Sequence, residues 1–307
     1  MLSVIIPVYN AANYLRKCLD SVAGQDLKDI EIICVDDGSA DDSAGILAEY
    51  DVKVIRQENH GQGYARNRGL EQASGEYVYF MDADDELADE KILKRLVEEM
   101  EKARLDVLFF DAEAKFEDGF NASNCAVNPR DYIRTHNYTG VYSGQELFSK
   151  FLENNEYCVS PCMMMLRRSF LEDNYLRFPA GRIYHEDNIF MTQVMLAAKR
   201  ASHRPWRGYL RSVHNGSVMT SAKTEYHLRG YEVCYDDVAR LLKMRNWNRR
   251  TRLLLCERKL GYSKQISCLK NQPHRWSEIL FGFYICFRCR GWRYILEKFL
   301  ARMMLHG

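Results

Sequence analysis

Acidic side chains follow a run of aromatic and apolar residues in the segment YFMDADDEL at 79–87. Asp82 and Asp84 flank a single alanine, and in an extended segment two such side chains point the same way. Carboxylate oxygens suit Mg²⁺ and Mn²⁺, which commonly share one or two carboxylates with substrate phosphates. The spacing therefore predicts a divalent-cation site. The alternative is that Asp85 and Glu86 cap a helix that starts near residue 88.

Strand-like and helix-like segments alternate over the first part of the chain. Short runs rich in β-branched or aromatic residues are typical of buried strands and occur at 3–9, 30–36, 52–55, 77–82 and 105–111. Apolar residues recur at helical spacing in 12–23 and 88–103. The alternation predicts an α/β fold, with right-handed crossovers and a mostly parallel sheet that carries helices on both faces. Functional groups gather beyond the carboxyl ends of such strands, so the acidic loops should border one crevice.

Other nucleotide-binding patterns fit the chain less well. A dinucleotide-binding site needs G-x-G-x-x-G after the first strand, whereas PVYNAANY has no glycine, and the sequence has no P-loop. A phospho-acceptor receiver or an aspartyl phosphatase would leave the segment NHGQGYARNRG at 59–69 unexplained. These classes are therefore disfavoured.

Four motifs together resemble the family 2 glycosyltransferases, which are inverting GT-A enzymes that use nucleotide sugars. In chain order they are SVIIPVYN, VDDGSADDS, N-x-G-x-x-x-ARN-x-G and GEYVYFMDADD. The resemblance covers 1–115 strongly. It implies a GT-A fold, that is, a Rossmann-like, mostly parallel sheet flanked by helices, followed here by a C-terminal helical extension. It also implies Mn²⁺ or Mg²⁺ as the cofactor and a nucleotide-sugar donor, with UDP as the expected nucleotide.

The same resemblance assigns roles to individual residues. It places at the nucleotide Pro7, Val8, Tyr9, Asn10, Asp36, Asp37, Arg66, Asp82 and Arg211. Asp84 is the expected direct metal ligand, Asp82 lies on the ribose or metal side, and His214 is a candidate for metal or phosphate contact, or else a surface histidine. The bound cation would relieve the repulsion among the acids. Gly61 and Gly63 are expected to let the backbone approach closely, or to be ordinary turn glycines.

A second acidic motif lies in GRIYHEDNIFMTQVML at 181–196 and resembles the family's glutamate–aspartate motif. Inverting transfer needs a base that takes the proton of the acceptor hydroxyl. The resemblance implies Asp187 as this base and Glu186 as its neighbour. The alternative is that both acids only cap a helix around 187–199. His185 is expected to be structural.

Composition gives no sign of a nucleic-acid partner, because 43 Lys and Arg balance 42 Asp and Glu to a formal net charge of +1. The ten cysteines are scattered, which suits a reducing cytosol. The single C-x-x-C at Cys286 and Cys289 has no second pair that would complete a zinc site. Neither a secretory signal nor a spanning segment is expected. A cytoplasmic location follows as the expectation.

Three regions are predicted. They are a nucleotide-sugar-binding half at 1–115, an acceptor-binding half at 116–222 with a long loop and irregular segments, and a helical, basic and aromatic region at 223–307. Six basic residues against two acidic ones after residue 270 make 273–307 a candidate for docking at the inner face of the plasma membrane. The alternative is that its aromatic residues pack on the core. A lipid-linked acceptor would make such docking useful.

Two functional classes remain open from the sequence. One is a metal-dependent inverting glycosyltransferase that adds sugar to a glycan or lipid-linked hydroxyl in cell-surface polysaccharide synthesis. The other is a non-catalytic scaffold that binds nucleotide sugars with the same fold. The acids at Asp82, Asp84 and Asp187 favour the enzyme, because a binding protein has little need of a base.

Overall fold

The structure is a computed structural model that describes residues 1–117, 132–214, 224–244 and 247–270. Its first elements, in chain order, are β1 (Leu2–Val8), α1 (Ala12–Ala23), β2 (Ile30–Asp36), α2 (Ser43–Leu47), β3 (Lys53–Arg56), α3 (Gln62–Glu71), β4 (Tyr77–Phe80), β5 (Glu86–Leu87), α4 (Ile92–Ala103) and β6 (Val107–Phe116). Then follow α5 (Gly144–Glu153), β7 (Met164–Arg167), α6 (Arg168–Asp173), α7 (Glu186–Ala197), β8 (Ala201–Val213), α8 (Glu225–Lys243) and α9 (Arg249–Leu269).

The apolar runs of the first part form strands as predicted, and they become β1, β2, β3, β4 and β6. One boundary differs, because α4 begins at Ile92 rather than near residue 88. The intervening residues form β5, which pairs with β8 in antiparallel register. The position before the helix is taken by Lys91, which makes no side-chain capping hydrogen bond. The interpretation of Asp85 and Glu86 as helix caps is therefore wrong.

The region predicted to be irregular contains regular structure, and β8 is its longest strand. Strand β8 is thirteen residues long, and ten of its residues pair in parallel with β6. The register shifts twice, first between Arg204 and Arg207 and then between Arg207 and Tyr209. Pro205 and Trp206 fall inside the first shift, where a proline does not interrupt the ladder. The proline and three arginines hide the alternating apolar pattern of the strand, which is why the sequence did not predict it.

The strands form one eight-stranded sheet in the order β3-β2-β1-β4-β7-β6-β8-β5. The pairs β3-β2, β2-β1, β1-β4 and β6-β8 are parallel, which confirms a mostly parallel sheet. The remaining pairs are antiparallel, with β7 inserted between β4 and β6. Because β1, β2 and β4 run parallel, the loops that follow them meet at one edge of the sheet.

Both faces of the sheet are covered by helices, as predicted. Cys34 of β2 packs in the large core with Leu15 of α1 and Leu93 of α4. The neighbouring residue Ile33 packs instead with Ala65 of α3. Successive side chains of a strand point to opposite faces, so α1 and α4 cover one face and α3 covers the other.

Contacts divide the chain into two compact units. One comprises Met1–Leu147 and Glu156–Ala222 and contains the sheet, and the other comprises Phe148–Asn155 and Lys223–Gly307. In the second unit α8 packs on α9, and Lys270 pairs with Glu232 at 2.6 Å. The predicted C-terminal helical extension is thus present. Within the part that the structure describes, no helix is long and apolar enough to cross a bilayer. The segment 273–307 lies outside that part.

Candidate active site

The loops after β1 and β2 are tied to each other by short hydrogen bonds. Pro7 and Val8 are buried in β1, so only their backbone can reach a ligand, whereas Tyr9 is 51% exposed. Asn10 has φ +49°, a left-handed conformation in which asparagine is enriched. Its Oδ1 accepts the N–H of Ala40 at 2.8 Å. Of the four residues at the end of β1 that were predicted at the nucleotide, Tyr9 and Asn10 are the ones with accessible side chains.

Asp36 and Asp37 are both buried and brace the loops that follow β2 and β3. Asp36 Oδ1 accepts the N–H of Ser39 at 2.9 Å. Asp37 Oδ1 accepts the N–H of His60 at 2.9 Å, and its Oδ2 accepts the N–H of Gly61 at 2.8 Å. These contacts fix the backbone entering α3. A direct contact of either carboxylate with the nucleotide stays a prediction.

Arg66 links two acidic segments that are far apart in the sequence. The residue is only 2% exposed. Its Nη2 donates to Asp82 Oδ1 at 2.7 Å, and its Nη1 donates to Glu186 Oε1 at 3.0 Å. The guanidinium also lies 5.1 Å from the centre of the Phe178 ring. A planar fork of donors suits such a double contact. Arg66 was predicted near the nucleotide, and the structure places it between the two groups of acids.

Asn67 of α3 binds the chain at Phe178, which precedes the acidic pair Glu186 and Asp187. This residue was not identified from the sequence. Its Nδ2 donates to the carbonyl of Phe178 at 2.9 Å, and its Oδ1 accepts the N–H of Phe178 at 2.9 Å. The Phe178 ring stacks on Phe190 of α7 at 4.0 Å. The signal that could have identified Asn67 is the polar character of α3, a helix that packs on the sheet with few apolar side chains.

Two glycines at the start of α3 allow the chain around Phe178 and Glu186 to approach this helix closely. Gly61 has φ +94°, which side chains rarely adopt, and it precedes the first turn of α3. A Cβ on Gly63 would lie 2.8 Å from Glu186 Cγ and 3.2 Å from Phe178 Cβ. Both glycines were predicted to permit a close approach. What approaches Gly63 within the described residues is the chain around Glu186.

The acidic turn after β4 brings together Asp82, Asp84 and Asp85, with one carboxylate oxygen from each lying within 4.8 Å of the others. Asp84 Oδ2 lies 3.2 Å from His214 Nε2. The His214 ring stacks on Tyr14 of α1 at 4.5 Å. The structure therefore places together the residues predicted as metal ligands. A cavity of about 390 Å³ adjoins Asp84.

Asp85 differs from the other two acids because it is 3% exposed and faces β8. Its Oδ2 accepts the hydroxyl of Tyr209 at 2.5 Å, and its Oδ1 accepts the N–H of Ser212 at 2.7 Å. Burial, with the charges of Asp84 and Asp82, raises the pKa of the Asp85 carboxyl well above its usual range. From the sequence, Asp85 was distinguished from Asp82 and Asp84 only as a possible helix cap, because its partners lie on a strand that was not predicted.

Arg211 lies two residues beyond Tyr209 on β8. Its guanidinium is 5.2 Å from the centre of the Tyr132 ring. Burial opposes its charge, but Tyr132 and the carboxylates of Asp85 and Asp82 raise its pKa. Arg211 thus stays cationic near the acidic turn, as a diphosphate contact requires.

The second acidic pair begins α7. Burial and the charge of Asp187 raise the pKa of Glu186 to about 7, against the opposing effect of Arg66. Burial likewise raises the pKa of Asp187, which Arg66 and the N–H of Asn188 oppose. Asp187 Oδ1 accepts this N–H at 2.8 Å, and no hydrogen bond from a described residue reaches Oδ2. The residue before the helix, His185, makes no capping hydrogen bond through its side chain. The arrangement leaves one partly buried carboxylate oxygen available as a proton acceptor.

Comparison with known proteins assigns this chain to a family. Residues 3–174 match the model of the family described as Glycosyl transferase family 2. The chain is 32% identical to the uncharacterized glycosyltransferase YibD of Escherichia coli over 262 residues, which cover 83% of this chain and 73% of the relative. It is 31% identical to the GalNAc(5)-diNAcBac-PP-undecaprenol beta-1,3-glucosyltransferase of Campylobacter jejuni, over 68% of this chain and 72% of the relative.

A solved structure supports the same assignment. Residues 1–349 of S. aureus TarS, crystallised in complex with UDP-GlcNAc, superpose with a TM-score of 0.68 and 26% identity. The match covers 87% of this chain and 72% of that one. The predicted GT-A fold is confirmed, and the relatives' names favour a transferase over a scaffold. The chain belongs to the family 2 glycosyltransferases.

Proposed function

We propose that this protein is a metal-dependent inverting enzyme that moves a sugar from a UDP-sugar to a hydroxyl of a glycan or lipid-linked acceptor in cell-surface polysaccharide synthesis. The observation that carries the proposal is the double ion pair of Arg66, which joins Asp82 to Glu186 and so brings donor-side and acceptor-side acids into one site. The UDP-GlcNAc bound to TarS supports the donor, and the undecaprenol-linked name of the Campylobacter relative supports the acceptor.

The donor set of the acidic turn fits a hard divalent cation. Asp82 and Asp84 offer carboxylate oxygens, and His214 offers a ring nitrogen beside Asp84. Mg²⁺ and Mn²⁺ both take the carboxylate oxygens, and a nitrogen ligand favours Mn²⁺ over the harder Mg²⁺. These three residues would hold the ion, and a bound ion supplies positive charge that stabilises the departing diphosphate. Arg211 adds a second positive charge on the same side of the site.

Asp187 is the catalytic base of the proposal. Its raised pKa makes it a better proton acceptor than an ordinary aspartate. As the acceptor oxygen bonds to the anomeric carbon, its proton passes to Asp187 Oδ2. The bond from that carbon to the β-phosphate oxygen breaks, and its electron pair leaves with UDP. A single displacement of this kind inverts the configuration. Glu186, held by Arg66 at 3.0 Å, positions the start of α7.

The base is tested by Asp187→Asn, which keeps the shape and removes the proton acceptor. Transfer should fall by at least a thousandfold, within the range that general-base catalysis contributes, while UDP binding by calorimetry stays within threefold of wild type. Asp173→Asn, at an exposed acid ending α6, is the matched control and should transfer normally. Activity is followed as release of the nucleoside diphosphate, UDP or GDP, across several UDP- and GDP-sugars. Undiminished turnover of Asp187→Asn would remove this residue as the base.

The metal requirement is tested separately by calorimetry of UDP with and without Mn²⁺. We expect Mn²⁺ to strengthen UDP binding at least tenfold in the wild type. Asp84→Ala should remove this dependence, since it deletes the carboxylate that faces His214. UDP affinity that is the same with and without Mn²⁺ in the wild type would refute a metal-dependent mechanism and leave the base assignment standing.

Docking of 273–307 on anionic lipid is a further part of the proposal, supported by its six basic residues against two acidic ones. The full chain should sediment with vesicles that contain phosphatidylglycerol and not with neutral vesicles. The paired change Arg290→Glu and Arg293→Glu should weaken sedimentation. Equal binding to both kinds of vesicle would discard the electrostatic interaction.

A further inference from the structure

Tyr209 contacts both ends of the acidic turn with a single hydroxyl group. The residue lies on β8 and is 1% exposed. Its hydroxyl donates to Asp85 Oδ2 at 2.5 Å and accepts the backbone N–H of Asp82 at 3.3 Å. The turn that carries Asp82 and Asp84 is therefore fixed at Asp82, its first residue, and at Asp85, its last acid.

The carboxylate of Asp85 is committed to the protein, although it lies in the same cluster as Asp82 and Asp84. Both of its oxygens accept hydrogen bonds from β8, one from Tyr209 and the other from the N–H of Ser212. Asp84 contrasts with it, because 37% of its side chain is exposed. Each Asp85 oxygen already accepts one buried hydrogen bond, and the residue is 3% exposed, so Asp85 is less accessible to an ion than Asp84 is. Two of the three acids thus face the site, and the third faces the fold.

Further contacts join the same turn to β8. Directly after Asp85, β5 pairs with β8, with Glu86 opposite Leu210 and Leu87 opposite Tyr209. At the far end of the strand, His214 meets Asp84 at 3.2 Å. Strand β8 therefore pairs with the residues that directly follow the turn, and the residue after its end, His214, contacts Asp84.

We propose that Tyr209 and Asp85 are positioning residues that hold the carboxylates of Asp82 and Asp84 in register with Arg211 and His214. Ligands held in place by buried hydrogen bonds need less reorganisation when the ion binds. This inference rests on the proposed metal-dependent function and goes beyond it, because it assigns Asp85 to the support of the site rather than to the ion.

The test measures Mn²⁺ affinity directly, by the electron paramagnetic resonance signal of free Mn²⁺ in the presence of UDP, on the full chain. Tyr209→Phe keeps the ring and removes the hydroxyl. We expect its Mn²⁺ dissociation constant to rise about tenfold, since the hydroxyl that contacts both Asp82 and Asp85 and holds the turn in place is lost. The Mn²⁺ concentration for half-maximal transfer should rise equally, while kcat at saturating Mn²⁺ changes less than threefold.

Tyr79→Phe is the matched control. Tyr79 is fully buried in β4, and its hydroxyl donates to the carbonyl of Cys162 at 2.9 Å rather than to the acidic turn. Both variants lose one buried hydroxyl, so both should unfold at lower temperature. Only Tyr209→Phe should lose Mn²⁺ affinity. If Tyr209 had a merely structural role, the two variants would not differ in Mn²⁺ affinity.

Asp85→Asn provides a second route if Tyr209→Phe does not fold. The amide keeps the shape but presents a donor where Tyr209 donates, so its Mn²⁺ affinity should also fall about tenfold. A folded Tyr209→Phe or Asp85→Asn with Mn²⁺ affinity within twofold of wild type would overturn the inference. Wild-type protein that binds no Mn²⁺ with UDP would instead refute the metal-dependent function, and with it this inference.

Discussion

Glu186 should make the stability of the protein depend on pH in the neutral range. The side chain is 9% exposed, and its Oε1 accepts from Arg66 at 3.0 Å. Burial and the adjacent Asp187 nevertheless raise its pKa to about 7, from an ordinary value of 4.5. The folded protein therefore keeps this proton at pH values where the unfolded chain has lost it.

The sign and size of the effect follow from linkage. Because the folded pKa of Glu186 is raised, its contribution to stability is fully present below about pH 4.5 and is lost as the pH rises through about 7. The difference between these two values, at about 1.36 kcal/mol for each pH unit, corresponds to about 3 kcal/mol. Glu186→Gln removes the titration while keeping an acceptor for Arg66.

Urea unfolding of wild type and Glu186→Gln across pH 4.5 to 8 measures this contribution. The free energy of unfolding of wild type minus that of the variant should fall by about 3 kcal/mol between pH 4.5 and 7.5. Titrating groups that do not interact with Glu186 are common to both proteins and cancel in the difference, whereas the adjacent Asp187 responds to the charge of Glu186 and contributes to the measured value. Two curves that run parallel over this range would refute the assignment of a raised pKa to Glu186.

Two further predictions concern packing. Asn67→Ala removes both hydrogen bonds to the backbone of Phe178 and should lower the free energy of unfolding by about 2 kcal/mol. It should also reduce transfer more than it reduces UDP affinity in calorimetry. Unchanged stability would show that these bonds are not needed. Gly69→Ala would bring a Cβ to 2.3 Å from Ile5 Cγ2 and should cost about 1–3 kcal/mol. Gly261→Ala lies within α9, where an added Cβ would meet nothing within 4 Å, and it should raise the free energy of unfolding by up to about 1 kcal/mol. Thermal unfolding in which Gly69→Ala and Gly261→Ala shift stability in the same direction would contradict this reasoning.

The sequence predicted what depends on local pattern. The apolar runs of β1, β2 and β4 and the polar loops after them follow from periodicity, and the parallel order placed those loops at one edge of the sheet. It could not place β8, because Pro205 and the arginines around it break the alternation of apolar residues, and the register shift that accommodates them arises only on pairing with β6.

Contacts between distant segments were outside the reach of such patterns. The ARN motif identified Arg66 as a site residue, but spacing alone does not show that its two nitrogens bind Asp82 and Glu186, which are 104 positions apart. Local sequence likewise suggested helix capping for Asp85 and does not show its partners. The contacts of Asp85 arise only when β8 pairs beside the acidic turn.

Protein groups offset part of the repulsion within DADD, although the charges of Asp82 and Asp84 still raise the pKa of Asp85. Asp82 pairs with Arg66, Asp84 meets His214, and Asp85 accepts from Tyr209 and from the backbone of β8. The sequence alone indicated a cation as the agent that makes such a cluster tolerable. The structure places a protein group against each carboxylate, so contacts within the chain help to hold the turn in this arrangement. Ligands held in place by buried hydrogen bonds need less reorganisation when an ion binds, so the buried contacts of Asp85 should affect metal affinity as well as folding.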